Sequence, residues 1–162
     1  MSVESSVKPP VWYWILGGFI LLWNLFGVFV FSVMLLMVSG NFDIASEQAM
    51  AKMDEAQRTQ TLVTKEVILS TPMWANIAFA VAVGFGILGS IALLMRKKAA
   101  VAFFIVSLIG VLAQNSYNYL LSDAVEKMGV GMSPVVILVA ILTVAFAFFC
   151  SHRGWIAKRT AK

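Results

Sequence analysis

The sequence predicts an all-α integral membrane protein: a four-helix bundle with both termini in the cytoplasm and one outer loop, 39–72, between the first two helices. Three observations predict this fold class. Of the 162 residues, 60% are apolar and 12% are charged, which is far from the balance of a water-soluble domain. The apolar residues form four long runs, and the basic residues collect at one end of them. The length fits a single membrane domain over 1–162.

Each apolar run is long enough to cross a bilayer as a helix. The first has no charged residue, and as a helix it would be ~42 Å long against a hydrocarbon core of ~30 Å, so it must tilt or project. It is too long for the central region of a signal peptide, and we expect it to be retained. Pro72 and Pro134 stand at helix starts. The four predicted spans are 11–38, 73–95, 99–121 and 134–151.

The basic residues predict the orientation. With a cytoplasmic N-terminus, the inner segments 1–10, 96–98 and 151–162 contain eight basic residues and one acid. The outer segments, 39–72 and 122–133, contain four basic residues and seven acids. This positive-inside bias predicts that both termini lie in the cytoplasm. Because topology accounts for the net charge of +4, the expected partner is the lipid bilayer and not a nucleic acid.

The outer loop is the one sizeable segment outside the predicted spans. Ile44, Met50 and Met53 recur at helical spacing, so an interfacial helix over 44–58, or an extension of the first helix, is predicted. The apolar stretch 67–69 then returns the chain to the membrane. We expect a plain connector here, with a lid over the outer mouth of the bundle as the alternative.

The residues that carry most enzyme and metal chemistry are nearly absent. Cys150 is the only cysteine and His152 the only histidine, which excludes an intrachain disulfide, a dithiol redox pair and bis-histidine heme within one chain. The four spans contain no Asp, Glu, Lys, Arg or His, and such residues mark proton relays and ion-coupled transport. We therefore expect no enzyme activity, no cofactor and no metal.

A stripe of small residues runs along the second span. Ala78, Ala82, Gly86 and Ser90 recur every four positions, a spacing that lets helix backbones approach closely. Tight helix packing is the favoured interpretation, with glycines of the first span as partners. A pivot for rocking motion is the alternative.

A set of amide and aromatic side chains is the second polar feature of the spans. An amide in hydrocarbon is costly unless it is hydrogen-bonded, so these side chains should face the bundle or water. They predict either hydrogen bonds between helices or an outward-facing pocket for a neutral polar solute, since amides both donate and accept and aromatic faces stack on sugar-like rings. The candidate solute-binding residues are Trp23, Asn24, Asn76, Gln114, Tyr117 and Asn118, of which 114, 117 and 118 share one helical face.

Four short runs carry a resemblance to a known family. LWNLFG (22–27), STPMW (70–74), LMRKKAAV (94–101) and LSDA (121–124) resemble small four-helix bacterial inner-membrane proteins, which are uncharacterised or loosely labelled sugar transporters. The resemblance covers most of 10–125 and fades in the outer loop and the fourth helix. It implies a bacterial inner-membrane protein with a role in solute transport, and it supplies no binding residues.

These observations predict transport of a small neutral, sugar-like solute. Four helices leave little room for an internal path, so a homo-oligomer or a larger membrane partner is expected. The alternative is a structural or regulatory accessory subunit of a larger membrane complex. A membrane enzyme that binds glutathione is a third hypothesis, for which the basic loop 96–98 is the only candidate site, and topology already explains that loop.

Overall fold

The structure is a computed structural model that describes residues 8–129 and 131–156. Within these ranges the chain is helical and forms no strand. Seven α-helices and one π-helical turn follow one another along the chain. They are α1 (Val11–Val38), α2 (Glu47–Met50), α3 (Glu55–Ser70), α4 (Met73–Leu94), α5 (Ala99–Ser116), the π-helical turn Tyr117–Leu121, α6 (Ala124–Met128) and α7 (Ser133–His152).

Four of these segments are long and apolar enough to cross a membrane: α1, α4, α5 with its π-helical turn, and α7. The all-α fold with four candidate spans is therefore confirmed, and the chain has the architecture of a multi-pass membrane protein. Their bounds lie within one residue of the four predicted segments. The third span differs in kind, because its last five residues form a π-helix instead of continuing α5.

The connection between α1 and α4 differs from the prediction. The prediction of a helix over 44–58, or of an extension of α1, is wrong. Helix α1 ends at Val38, and the main helix of the connection is α3. A capping box starts α3, in which the Asp54 carboxylate accepts from the Gln57 backbone N–H at 2.8 Å and the Gln57 side chain accepts from the Asp54 N–H at 3.2 Å. The apolar stretch 67–69, expected to re-enter the membrane, is the last turn of α3.

Helices α4 and α5 form an antiparallel hairpin at the centre of the bundle. A tight turn joins them, with Arg96 in the left-handed region at φ 59°. A Cβ placed on Gly110 of α5 would lie 2.8 Å from both the Ala78 carbonyl oxygen and the Ala82 nitrogen, so the two backbones are in contact at this glycine. Helix α1 packs against α4 and α7 packs against α5, which gives the spatial order α1–α4–α5–α7.

The small-residue stripe of α4 lies where α1 and α5 converge on it. Ala82, Gly86 and Ser90 are buried, and Ala78 is half-buried. The Ser107 hydroxyl of α5 donates to the Ala82 carbonyl at 2.6 Å. On the other side the stripe meets an amide of α1: a Cβ on Gly86 would lie 1.9 Å from the carboxamide oxygen of Asn24.

Glycines of α1 were expected opposite the stripe, but they have other neighbours. A Cβ on Gly17 would lie 2.8 Å from the Leu94 side chain, and one on Gly27 would lie 3.1 Å from the Val83 side chain. Gly18 has open space around its Cβ position. Close approach between α1 and the stripe therefore occurs at an asparagine.

Aromatic side chains close one end of the bundle, at which α1 begins and α7 ends. We call it the basic end, because Lys8, the basic turn 96–98 and Arg153 lie there; the opposite end, with α3 and α6, is called the loop end. The indole of Trp12 meets that of Trp155 edge-on at 5.0 Å between ring centroids. The buried Tyr13 hydroxyl donates to the Leu93 carbonyl of α4.

Candidate solute-binding cavity

A cavity of about 380 Å³ lies between α1 and α7, with α4 and α5 as its floor. Most of its lining is aliphatic or aromatic, and none of the lining residues is charged. The lining residues are Trp23, Asn24, Phe26, Gly27, Val30, Phe79, Ala82, Val83, Phe104, Ser107, Val111, Met132, Val136, Val139, Ala140 and Thr143.

The helix arrangement explains why the cavity exists. At the basic end α1 and α7 meet through their rings, with the centroid of Trp12 6.0 Å from Phe146 and 6.3 Å from Phe149. Along the rest of their lengths the two helices do not pack closely against each other, because α1 packs against α4 and α7 packs against α5. Two outer helices placed on opposite sides of a central hairpin leave a groove between them.

Asn24 is the most polar residue of the cavity and is held in place by two hydrogen bonds. Its amide nitrogen donates to the Ile20 carbonyl at 2.8 Å and to the Ser90 hydroxyl at 3.2 Å. The Ser90 hydroxyl in turn donates a hydrogen bond to the Gly86 carbonyl at 2.8 Å. The Asn24 carboxamide oxygen accepts no hydrogen bond from the described residues. The amide is therefore fixed with its oxygen against Gly86 of α4, and that oxygen keeps unused acceptor capacity.

Three further polar side chains line the cavity. Ser107 donates to a carbonyl of α4 and keeps acceptor capacity on its oxygen. Thr143 of α7 and the indole N–H of Trp23 have no hydrogen-bond partner within the described ranges. Thr143 and Ser107 are each 8% exposed, so these groups lie deep in the structure. Together with Asn24 they provide a few convergent donors and acceptors within apolar walls, as in small-molecule sites.

The charge of a ligand is constrained by what surrounds the cavity. An ion taken out of water into an apolar site requires a paired charge or several strong hydrogen bonds. The lining residues provide no charged side chain. Across residues 8–129 and 131–156, no group of three or more His, Cys, Asp or Glu side chains is placed to hold a metal ion. The site is suited to neutral molecules.

Two of the six predicted solute-binding residues, Trp23 and Asn24, line the cavity. The other four do not, and the predicted grouping of Asn24 with Gln114 is not present. Gln114 accepts from the neighbouring Asn115 amide at 3.3 Å. Asn118 lies within the π-helical turn, where its carbonyl accepts from the Ser122 hydroxyl at 3.1 Å.

Tyr117 and Asn76 connect helices near the loop end. The Tyr117 hydroxyl donates to the Ser70 carbonyl at 3.2 Å, and its ring meets Trp74 edge-on at 5.7 Å. The Asn76 amide donates to the Thr71 carbonyl at 3.4 Å, while its buried oxygen has no partner within the described residues. These contacts join α5 and α4 to the end of α3.

Sequence reasoning missed the α7 wall of the cavity. No candidate site residue is predicted in the fourth span, although Val136, Val139, Ala140 and Thr143 follow the i, i+3, i+4, i+7 spacing of one helical face. The only polar member of that face, Thr143, was the available signal. A lone threonine in a long apolar run carries little weight without knowledge of what faces it.

Comparison with protein-family models, with curated proteins and with solved structures finds no match for this chain.

Proposed function

We propose that this chain is a multi-pass protein of the bacterial inner membrane that binds a small neutral solute in the cavity between α1 and α7 and transports it across the membrane. The observation that carries the proposal is the uncharged cavity in which Asn24, Ser107 and Thr143 converge among apolar side chains. Its volume of about 380 Å³ lies within the usual range of small-molecule pockets, ~300–1,000 Å³.

The depth of the polar residues supports transport over a purely structural role. Asn24 is the fourteenth of 28 residues in α1, and Thr143 is the eleventh of 20 in α7. Both therefore lie near the middle of a helix that is long enough to span. Substrate sites near the bilayer midplane are typical of membrane carriers, because a site there can be reached from either side in turn.

The proposed orientation places both termini in the cytoplasm. Lys8, the basic turn 96–98 and Arg153 cluster at the basic end, while the loop end contains most of the acidic residues. Cytoplasmic segments carry the excess of lysine and arginine in inner-membrane proteins, which supports a cytoplasmic basic end. A solute with hydroxyl groups, as the resemblance to loosely labelled sugar transporters implies, is part of the proposal, and so is a homo-oligomer as the working unit.

A second candidate function is an accessory subunit that packs against a larger membrane complex. A shallow groove on the outer face of α4 favours it: the groove passes over Gly84, whose Cβ position has no atom within 4 Å, and is bordered by Val28, Ile77 and Leu88. An exposed glycine beside small residues allows another helix to approach closely. If this function is correct, the protein should co-purify with a defined membrane complex, and the substitution Gly84→Leu should release it.

The test of transport compares two matched alanines of α7. Ala140 lines the cavity, whereas Ala145 is exposed on the outer face of the same helix. In proteoliposomes, uptake of labelled glucose and glycerol is measured for wild type, Ala140→Phe and Ala145→Phe. We expect Ala140→Phe to abolish uptake because the ring fills the cavity, and Ala145→Phe to retain it. Uptake that is equal in the two variants would contradict a role for the cavity.

A further inference from the structure

We infer that the solute is the headgroup of a neutral membrane amphiphile, a lipid whose headgroup carries hydroxyl groups and no charge. The cavity holds this headgroup near the middle of the membrane while the hydrocarbon chain remains in the bilayer. The inference rests on the proposed transport function, because it specifies the class of solute that the cavity accepts.

The cavity opens sideways, between α1 and α7. Two of its lining residues on α1 are also exposed on the outer surface of the bundle: Phe26 is 56% exposed and Val30 is 39% exposed. In a spanning bundle that outer surface faces hydrocarbon and not water. A molecule entering between these residues therefore comes from the lipid phase.

The polar and apolar parts of the lining are separated in depth. Ser107 and Thr143 are 8% exposed and lie deep in the cavity with the fixed amide of Asn24, whereas the exposed Phe26 and Val30 form the rim. A free sugar has no apolar part to lie against the apolar rim. A lipid with a hydroxyl headgroup matches this pattern, with its polar atoms deep in the cavity and its chain leaving past the rim.

Because the polar residues of the cavity lie near the middle of the membrane, the cavity can accelerate the movement of a lipid headgroup from one leaflet to the other. A hydroxyl group in the hydrocarbon centre has no hydrogen-bond partner, and this loss is the barrier to headgroup movement between leaflets. At that depth the unpaired Thr143 hydroxyl, which can donate and accept, and the unused acceptor capacity of the Asn24 oxygen are available to headgroup hydroxyl groups. No residue of the lining compensates a phosphate charge, so the cavity selects neutral headgroups.

The structure is open toward one leaflet. Met132, just before α7 at the loop end, lines the cavity, which thus extends from mid-membrane toward that end. On α5, Ser107 and Val111 of the lining are followed on the same helical face by Gln114, whose amide nitrogen makes no hydrogen bond within the described residues. At the basic end the edge-on pair of Trp12 and Trp155 closes the gap between α1 and α7. Passage to the second leaflet requires these rings to separate.

The experiment measures lipid movement between leaflets. Purified full-length protein is reconstituted into phosphatidylcholine vesicles with a trace of a monoglycosyl diacylglycerol that carries a nitrobenzoxadiazole label on one acyl chain. Dithionite bleaches the label only in the outer leaflet, so the slow phase of bleaching reports transfer. We expect wild type to accelerate this phase at least about tenfold over protein-free vesicles, a factor that corresponds to a single well-placed interaction. Labelled phosphatidylglycerol should show no acceleration, because its headgroup is charged.

Three variants locate the effect in the cavity. Ala140→Phe should abolish the acceleration and Ala145→Phe should preserve it. Thr143→Val removes one hydroxyl with almost no change of shape, and we expect it to slow transfer severalfold while the thermal unfolding temperature in detergent stays within a few degrees of wild type. This variant keeps the test valid if phenylalanine at 140 prevents folding.

Each outcome distinguishes the inference from the proposed function. Equal acceleration of the glycolipid and of phosphatidylglycerol would show general disturbance of the bilayer and overturn the inference, as would wild-type rates in both Ala140→Phe and Thr143→Val. No lipid transfer together with cavity-dependent uptake of free glucose or glycerol would overturn the inference and leave the proposed function in place. Neither lipid transfer nor uptake would overturn both.

Discussion

The substitution Gly110→Ala tests the central helix contact of the fold. The new Cβ would lie 2.8 Å from the Ala78 carbonyl oxygen and the Ala82 nitrogen, and 3.1 Å from the Ala82 Cα. All three are backbone atoms, so no side-chain rotation relieves the contact. Restoring an ordinary separation of 3.4 Å requires α4 and α5 to move apart by about 0.6 Å. That movement also lengthens the hydrogen bond from Ser107 to Ala82.

The expected cost follows from comparison with Gly84→Ala. Gly84 lies on the outer face of α4 with no atom within 4 Å of its Cβ position. Both substitutions gain helix propensity, about 0.8–1 kcal/mol, but only the one at 110 forces overpacking, which costs about 1–3 kcal/mol. The difference between the two variants isolates the overpacking term. We expect Gly110→Ala to be the less stable variant by about 1–3 kcal/mol.

The assay is reversible unfolding in mixed micelles, followed by circular dichroism as the fraction of denaturing detergent is raised. Wild type and both alanine variants are measured under identical conditions. Gly84→Ala should be as stable as wild type or slightly more so. If Gly110→Ala matches Gly84→Ala, the backbones of α4 and α5 do not touch at this glycine and the hairpin geometry described above is incorrect.

Three further predictions concern hydrogen bonds. Asn24→Leu should lower the free energy of unfolding in micelles by about 0.6–1.7 kcal/mol, because the interhelical bond to Ser90 is lost; unchanged stability would refute that bond. Tyr13→Phe should cost about 0.5–1.5 kcal/mol in the same assay through loss of the bond to α4, and a gain in stability would contradict it. At the loop end, hydrogen bonds from Lys65 and from the Ala45 N–H lower the pKa of Asp43 below its ordinary value of 3.8. Because the folded-state pKa is lowered, the Lys65–Asp43 ion pair contributes to stability above pH 3.8, and this contribution is lost as the pH falls through the lowered value. An NMR titration of the Asp43 carboxyl should give a pKa below 3.8. An ordinary value would refute the ion pair.

The existence of the four spans could be predicted because it depends only on composition and length. Which side of each helix faces the bundle and which faces lipid could not be predicted, because the bundle interior and the lipid are both apolar. The two sides of a spanning helix therefore differ little in composition. Ala140 lines the cavity and Ala145 is exposed, yet both are alanines within one uninterrupted apolar run. For α3 the limiting factor was different: the capping box at Asp54 was a stronger start signal than the apolar spacing from Ile44 onward.

The candidate site was predicted in part for the same reason. Asn24 is a single amide in a long apolar helix, and the cost of leaving it unpaired indicates that it faces the protein. Gln114, Tyr117 and Asn118 were grouped by α-helical spacing, but the turn from Tyr117 to Leu121 is π-helical. A π-turn has more residues per turn, which rotates the following side chains away from the face that α-helical spacing assigns. The sequence YNYLL contains no glycine or proline that would indicate the change from α-helix to π-helix.

The position of the outer helices determines when the cavity comes into being during synthesis. The walls of the cavity are the earliest and the latest of the four spans to leave the ribosome, and each leans on the hairpin between them instead of on the other. A nascent chain halted after α5 already has the central hairpin and one wall. The second wall is missing until α7 docks, so polypeptides truncated before Ser133 should insert and persist in the membrane without any capacity to bind the proposed solute.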